Sequence, residues 1–328
     1  MRAWVSAEPG LGNLEVRDLA KPVPEDGLLL VRVTHAALNY SDLLMLVDQY
    51  QVRPPRPFAL GQEIVGIVEE APRGSGFERG DRIASKVLWG GFADFALARA
   101  DMAIRVPDSF SLASAAALPV SYSTALVAID YCGKLSSGEY ALIHAAAGGV
   151  GLAAVEIASA RGATVIATAG TKDRLAVAAV HGATHCVNYR DTDWVDQVKT
   201  LTGGKGADMI LDPVGGETGE ASLRCIALDG RYLIVGFASG AMPKLAANRL
   251  LLKRASAIGV YWNHDRDRAL IADTNREMES LIKAGRINPV IDDRHGFDDL
   301  PQALDDLRNR RVVGKMVLRV DAEREGTE

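Results

Sequence analysis

The stretch YALIHAAAGGVG, residues 140–151, decides the fold of this chain. Its apolar beginning is typical of a buried strand, and the small-residue segment 150–161 that follows predicts a helix. A strand, a glycine-rich turn and a helix in this order form the context of the dinucleotide-binding fingerprint. Gly148 would let backbone approach a pyrophosphate, and Gly151 would let helix and strand pack closely. The alternative is a glycine turn that only packs a helix on a sheet.

Strand-like and helix-like segments continue to alternate after this turn. They are a strand at 163–169, a helix at 171–181, a strand at 185–188, a helix at 194–201, and strands at 207–211, 231–235 and 255–260. Repeated β-α units of this length predict a parallel sheet with right-handed crossovers and helices on both faces. We therefore expect an α/β, doubly wound nucleotide-binding domain over residues 123–262.

The two ends of the chain have a different pattern. Residues 1–122 contain short β-type runs, such as 28–33 and 63–69, separated by turns that carry glycine or proline. Residues 263–328 predict a polar helix at 265–284, a strand at 287–291, a helix at 301–310 and a last strand at 315–320. A final strand with no helix after it fits a doubly wound sheet poorly, so we expect this tail to return to the first domain.

The end of the second predicted strand bears on the choice of dinucleotide. NAD-preferring sites usually place Asp or Glu there, about 20 residues beyond the glycines. In this chain residues 168–171 read TAGT, and Lys172 and Arg174 follow directly. Both cations suit charge-assisted hydrogen bonds to a 2′-phosphate, which favours NADPH. The alternative is that both are solvated residues at the start of a helix.

Composition narrows the possible partners. The chain has 37 basic and 42 acidic residues without long blocks of one sign, which argues against nucleic acid or an anionic membrane as the main partner. Glu8 and Pro9 interrupt the N-terminus early, and no uninterrupted apolar stretch reaches about 18 residues, so we expect a cytoplasmic protein. Cys132, Cys186 and Cys225 lack the paired spacing of a structural zinc site and are expected to be buried thiols.

Motifs along nearly the whole chain resemble the quinone oxidoreductases of the medium-chain dehydrogenase/reductase superfamily. They are NYSD at 39–42, Tyr50 ahead of Pro54, Pro55 and Pro57, GQE at 61–63, FERGDR at 77–82, GGFA at 90–93, the glycine turn at 145–151, NYR at 188–190, and LK at 252–253 ahead of GVYW at 259–262. The resemblance implies a GroES-like, β-rich catalytic domain built from both chain ends, with a Rossmann domain inserted between them. It also implies a homodimer or homotetramer.

The resemblance further implies roles for single positions. Gly170, Arg174 and Tyr189 resemble the 2′-phosphate pocket of the family, with Arg174 in place of a more usual lysine. Asn39 resembles a residue near the nicotinamide ribose, and Arg310 matches a basic position near the adenosine phosphate, in a register that Arg311 leaves open. Thr124 and Val150 would line the cofactor, and Phe237 with Ser239 would cover it. The cofactor-binding residues expected are Asn39, Thr124, Gly148, Gly149, Val150, Gly170, Thr171, Lys172, Arg174, Tyr189, Phe237, Ser239 and Arg310.

The chain departs from the zinc alcohol dehydrogenases at their metal-ligand positions. It has Asn39 where they carry cysteine and Gln62 where they carry histidine, and it has no counterpart of their second cysteine or of their four-cysteine lobe. These residues predict that no metal is bound. Without a Lewis acid, the acceptor must spread its own charge, as quinones and α,β-unsaturated carbonyls do by conjugation.

These observations together predict NADPH-dependent reduction of a small quinone or conjugated carbonyl. Tyr50 is the expected catalytic residue, since its hydroxyl can hydrogen-bond to or protonate the reduced acceptor, and Asn39 is the second neutral donor. The alternative for Tyr50 is aromatic packing beneath a proline-rich loop. Two other functions remain open: an enoyl-thioester or enone reductase on the same fold, and a non-catalytic, crystallin-like NADPH-binding protein.

Overall fold

The computed structural model describes residues 1–320. The strands are β1 Arg2–Ser6, β2 Leu14–Asp18, β3 Leu28–Ala37, β4 Phe58–Ala59, β5 Glu63–Glu70, β6 Arg82–Lys86, β7 Phe95–Arg99, β8 Ile104–Arg105, β9 Tyr140–Ile143, β10 Thr164–Ala169, β11 His185–Asn188, β12 Ala207–Asp212, β13 Ile226–Ile234, β14 Ser256–Gly259, β15 Ile291–Gly296 and β16 Lys315–Arg319. The α-helices are α1 Tyr40–Leu46, α2 Leu112–Ala115, α3 Ser123–Leu126, α4 Gly149–Ala160, α5 Lys172–Val180, α6 Trp194–Leu201, α7 Gly216–Ser222, α8 Ala247–Lys253, α9 Arg268–Lys283 and α10 Leu300–Arg308.

The chain divides into two compact units. Among the described residues, the first unit contains 1–120, 271–279 and 289–320, and the second contains 121–270 and 280–288. The second unit is therefore an insertion in the chain of the first. Residues 263–270 and 280–288, which were expected in the returning tail, group with the second unit.

The second unit is built on a parallel six-stranded sheet in the order β11-β10-β9-β12-β13-β14. The crossover from β9 to β10 runs through α4, and the crossover from β10 to β11 runs through α5. Strand β9 is buried from Ala141 to Ile143, because it lies in the interior of the sheet and packs on both faces. This arrangement confirms the α/β, doubly wound fold that the sequence predicts.

The first unit is β-rich. Its larger sheet runs β15-β16-β3-β5-β6-β8, with β7 paired to β3, and a smaller sheet runs β2-β1-β4. The pairing of β16 with β3 and the hydrogen bond from Trp4 Nε1 to the Phe297 carbonyl (2.8 Å) join the two ends of the chain within this unit. The last strand therefore returns to the first domain, as the sequence predicts.

Two segments differ from the sequence prediction. The strand predicted at 287–291 is wrong, since the strand is the polar segment Ile291–Gly296, which pairs in parallel with β16. Pro289 lies in the middle of the predicted run, and proline lacks the N–H that a strand interior uses. The helical stretch Leu112–Cys132 is long and apolar enough to cross a membrane, but 72% of its most apolar window is buried within the protein, as in a core helix.

Candidate functional site

The glycine turn lies at the carboxyl end of β9 in the second unit. Gly148 is the N-cap of α4, and its N–H donates to the Ala145 carbonyl at 2.9 Å. A Cβ atom at Gly151 would lie 2.2 Å from the Ala145 oxygen, so only glycine lets α4 approach the turn this closely. The first N–H groups of a helix lack intrahelical partners and point toward any anion at this end. The turn therefore fits a dinucleotide pyrophosphate.

His144 is fully buried directly before this turn. Its Nδ1 lies 2.7 Å from the Thr168 hydroxyl, and its Nε2 lies 2.7 Å from the Ser222 hydroxyl. The ring meets Trp194 edge-on, with centroids 5.6 Å apart. Burial lowers the pKa of His144 and keeps the imidazole neutral. This histidine therefore joins β9, β10 and α7 in the core.

A second cluster lies where β10 and β11 end side by side. A Cβ atom at Gly170 would lie 3.0 Å from the Tyr189 hydroxyl oxygen and 2.9 Å from Arg190 Nε. Gly170 is buried, and it is followed by Thr171, whose hydroxyl accepts the Arg174 N–H at 3.4 Å as the cap of α5. The structure thus brings Gly170 and Tyr189 together, and Arg174 follows within one helical turn.

Arg190 is a candidate site residue that the sequence analysis did not assign. It is exposed, and its backbone N–H donates to Asn188 Oδ1 at 3.0 Å, in a turn at the end of β11. Because β11 is parallel to β10, the residues after both strands meet at one edge of the sheet. A basic residue two positions after the end of the neighbouring strand is the signal that could have identified it.

The segment that contains Phe237 and Ser239 follows the end of β13. The Ser239 N–H donates to the Val214 carbonyl at 2.9 Å, and the Ala238 N–H donates to the Pro213 carbonyl at 3.0 Å. Asp212 Oδ1 accepts the Val214 N–H at 2.7 Å and so shapes the turn that this segment covers. Phe237 and Ser239 therefore lie at the same edge of the sheet as the glycine turn.

Thr124 lies in the helical stretch before β9. Its hydroxyl accepts the Trp262 Nε1–H at 3.2 Å, so part of its hydrogen-bonding capacity is used within the second unit. The family role expected for Thr124, lining the cofactor, remains a prediction.

A buried polar cluster occupies the first unit at the junction of β3 and α1. The Asn39 side chain donates from Nδ2 to Glu63 Oε2 at 3.0 Å and accepts at Oδ1 from Lys315 Nζ at 2.6 Å. Lys315 Nζ also lies 2.6 Å from Glu63 Oε2, and Glu63 Oε1 accepts the Val120 N–H at 2.7 Å. Both Glu63 oxygens and both ends of the Asn39 amide are therefore engaged.

Asp42 and Lys86 add two more ionisable groups to this cluster. Asp42 Oδ2 accepts the Asn39 N–H at 2.7 Å, whereas its Oδ1 is buried with no hydrogen-bond partner among the described residues. Burial raises the pKa of Asp42 to about 7, against the opposing effects of the Asn39 N–H and Lys315. Lys86 lies opposite Glu63 in the β5–β6 register; burial lowers its pKa, and Glu63 opposes that shift.

These residues do not fit a catalytic zinc ion. Asn39 is engaged by Lys315 and Glu63, and the Gln62 side-chain oxygen accepts a hydrogen bond from Ser41. Within residues 1–320, no group of three or more His, Cys, Asp and Glu side chains could hold a metal. The basic groups of the cluster are instead lysine side chains of the chain itself, Lys315 and Lys86.

Tyr50 and Arg310 lie elsewhere in the first unit. Tyr50 is half-buried between α1 and β4 and packs against the hydrophobic core of this unit, so its ring has the packing role that was the alternative for it. Its catalytic role remains a prediction. Arg310 follows α10 with a φ of 57°, and the neighbouring Arg311 pairs with Asp306 at 2.8 Å. The position of Arg310 near the cofactor also remains a prediction.

Comparisons with known families agree with this fold. Residues 25–108 match the alcohol dehydrogenase GroES-like domain, and residues 149–283 match the zinc-binding dehydrogenase family. The first match lies in the β-rich unit, and the second begins at the glycine turn.

Named relatives and solved structures extend the similarity over almost the whole chain. The quinone oxidoreductase-like protein 2 homolog of Nematostella vectensis is 35% identical over 331 residues, which cover 96% of this chain and 90% of the relative. The quinone oxidoreductase of Sus scrofa is 31% identical, with 92% of each chain covered. The crystal structure of Escherichia coli quinone oxidoreductase complexed with NADPH has a TM-score of 0.88 at 28% identity, over 98% of this chain and 100% of that one.

Proposed function

This chain is an oxidoreductase of the quinone oxidoreductase-like group within the medium-chain dehydrogenase/reductase superfamily, and from that premise we propose that it reduces quinones with NADPH and without a metal. The observation that carries the proposal is that Asn39, which stands where zinc relatives carry a cysteine ligand, is held between the Lys315 ammonium and Glu63. A site without a Lewis acid favours an acceptor that spreads charge by its own conjugation.

The residues of the second unit fit NADPH. When bound, NADPH supplies the hydride that the acceptor receives. The N-terminus of α4 would hold the pyrophosphate, since Gly151 lets the helix approach the turn closely. The 2′-phosphate would lie near Gly170, where Tyr189 and Arg190 converge and Arg174 follows. The NADPH complex of the Escherichia coli relative supports this choice of cofactor.

Neutral hydrogen-bond donors of the first unit would act on the acceptor. Asn39 keeps one Nδ2 hydrogen beyond its bond to Glu63, and Tyr50 has a hydroxyl that can donate a proton or a hydrogen bond. A quinone delocalises the charge that it gains over its ring and both oxygens. The protein then has to orient the acceptor, exclude water and supply hydrogen bonds.

An acceptor screen tests this function. The native protein is mixed with NADPH and, separately, with a quinone, an enone and an enoyl thioester, and the loss of NADPH absorbance is followed. We expect the quinone to be the best acceptor. If an enoyl thioester is reduced far faster than any quinone, the enoyl reductase alternative holds; if no acceptor oxidises NADPH, the non-catalytic alternative holds.

Tyr50→Phe refines the same test. With a quinone, the variant should lose turnover only modestly, because conjugation already carries most of the charge. An acceptor that needs a proton at carbon should lose about 100-fold or more. Tyr40→Phe, which removes a hydroxyl from an exposed tyrosine of the same unit, serves as a control. Loss of about 100-fold with the quinone would contradict the proposed chemistry.

A further inference from the structure

Lys315 is a buried cation to which the resemblance to the family assigns no role. Its side chain is only 5% exposed, and lysine is almost never buried unless it is paired. The ammonium donates to Asn39 Oδ1 at 2.6 Å and forms an ion pair with Glu63 Oε2, also at 2.6 Å. Removing a charged ammonium group from water is unfavourable unless such partners compensate for its lost hydration.

The local structure places Lys315 opposite Asn39. Strand β16 runs antiparallel to β3, with Val317 opposite Ala37, and the same register continued for two residues sets Lys315 against Asn39. The Leu38 N–H donates to the Met316 carbonyl at 3.0 Å, which extends the pairing to this point. Gly314 directly before the lysine has a φ of 73°, and a Cβ there would lie 2.2 Å from the Val290 oxygen.

This contact determines which way the Asn39 amide points. The amide oxygen faces the ammonium, and the amide nitrogen faces the Glu63 carboxylate. A flipped amide would set NH₂ against a cation and oxygen against an anion, so both contacts would become repulsive. Asn39 is therefore held as a hydrogen-bond donor, with one N–H of Nδ2 left for a ligand.

The charges of the cluster reinforce that orientation. Glu63 is fully buried, and the Lys315 ammonium forms an ion pair with its carboxylate at 2.6 Å. Removing one partner of a buried ion pair leaves an uncompensated charge, whereas replacing both by neutral groups of similar size is often tolerated. The pair can therefore be neutralised together to test its role separately from folding.

We propose that Lys315 is a positioning residue of this oxidoreductase, which holds the Asn39 carboxamide in the donor orientation that the reduction uses. It acts through Asn39 and Glu63 and does not touch the acceptor. In this site it supplies a buried positive charge beside Asn39, the position where zinc relatives carry a cysteine ligand. The inference rests on the proposed function, because that function assigns Asn39 to the acceptor side of the reaction.

The catalytic test is a double-mutant cycle. Lys315→Met with Glu63→Gln removes both charges together, and the pair is introduced into the native protein and into an Asn39→Ala background. In the native background turnover with a quinone should fall at least about 10-fold, since small displacements of a positioning group lower rates strongly. In the Asn39→Ala background the same pair should lower turnover less than about 2-fold, because the group it positions is gone.

Two further variants separate positioning from folding. Lys315→Arg keeps the charge and should retain more turnover than Lys315→Met, and Lys205→Met removes an exposed lysine and should change nothing. Unchanged turnover in the doubly neutralised protein, or an equal loss in both backgrounds, would overturn the proposal.

A measurement without cofactor or acceptor keeps this test independent of the proposed function. The side-chain amide of Asn39 is observed by NMR in protein labelled with ¹⁵N-asparagine and assigned by its disappearance in Asn39→Ala. We expect slow hydrogen exchange in the native protein and exchange faster by about 10-fold or more in the doubly neutralised protein. Equal exchange in both would refute the positioning role even if the native protein reduces quinones. An ordered Asn39 amide in a protein that reduces no acceptor would contradict only the proposed function.

Discussion

The Arg190 guanidinium lies near Gly170, and Arg174 follows Gly170 in the first turn of α5, at the ends of the neighbouring parallel strands β11 and β10. Replacing either with alanine should weaken NADPH binding, because each can make a charge-assisted hydrogen bond to a 2′-phosphate, worth about 1.5–3 kcal/mol. NADH lacks that phosphate, so its affinity should change little. Titration of both cofactors by fluorescence measures the two dissociation constants. Arg224→Ala, an exposed arginine of the same unit, is the control, and an equal loss for NADPH and NADH would contradict the assignment.

A substitution of Gly170 tests the same proposed 2′-phosphate pocket by adding a methyl group beside Tyr189 and Arg190. Alanine there would meet Tyr189 Oη and Arg190 Nε within about 3 Å, and both are ends of side chains that can move. Stability should therefore change by less than about 0.5 kcal/mol, whereas NADPH affinity should fall several-fold as the arginine shifts. Urea unfolding and cofactor titration measure the two effects. Gly12→Ala, at a glycine with open space around its Cβ position, is the control; unchanged NADPH affinity in Gly170→Ala would place the phosphate elsewhere.

Asp42 should make stability depend on pH. An acid whose pKa is raised by folding, here from 3.8 to about 7, holds its proton more tightly in the folded protein, so stability falls as the pH rises through that range. Asp42→Asn keeps an acceptor for the Asn39 N–H and removes this titration. The difference in unfolding free energy between pH 5 and pH 8 should shrink by about 1–3 kcal/mol. Asp18→Asn is an exposed control, and the same difference in native and Asp42→Asn proteins would contradict the prediction.

For some residues the type and the position in the sequence are sufficient to predict a role, and for others they are not. Arg174 was predicted as a site residue from its type and its position after the second strand, whereas Asn39 and Gly170 were predicted from the resemblance to the family. Lys315 was predicted only as the first residue of the last strand. Its proposed role depends on a contact with Asn39, which lies 276 positions away in the sequence. The one signal in the sequence is a lysine at the start of a mostly apolar strand segment, KMVLRV at 315–320.

In the turn that precedes α4, we expect Gly151 to be needed for helix packing and Gly148 to be needed only for cofactor binding. Gly151→Ala would place a Cβ 2.2 Å from a backbone oxygen that cannot move away, so α4 should shift and stability should fall by about 1–3 kcal/mol, with loss of NADPH binding. Gly148→Ala meets only an ordinary contact at 3.4 Å. It should leave stability within about 0.5 kcal/mol and still weaken NADPH, because the pyrophosphate passes close to that backbone. Urea unfolding and NADPH titration compare the two variants, and equal stability of both would contradict this account of Gly151.

Elements with a clear period were predictable, and those governed by tertiary contacts were not. The helix at Trp194–Leu201 and the strand at His185–Asn188 have the bounds that periodicity predicts. Strand β15 reads IDDRHG, which has no strand pattern, and it forms because β16 offers it a parallel edge. The helical stretch Leu112–Cys132 was not foreseen, since its small and apolar residues carry no polar face.

For the whole molecule, the order of elements along the chain was sufficient to predict the architecture. Strand-helix alternation in the middle and an orphan final strand imply an inserted nucleotide-binding domain, and both features are present. The boundary between the two units could not be predicted from the sequence, because α9 contributes residues to both units. The acceptor specificity also could not be predicted from sequence patterns, since it depends on side chains from segments that are distant along the chain.

The most direct test of the whole account is quinone-dependent oxidation of NADPH by protein stripped of metal. The protein is dialysed against a chelator, its zinc content is measured by elemental analysis, and the ratio kcat/KM is determined with one quinone for NADPH and for NADH. We predict full activity without zinc and at least about 10-fold preference for NADPH, as expected for a lost charged hydrogen bond. Stoichiometric zinc whose removal abolishes activity and whose return restores it, or equal use of both cofactors, would contradict the account.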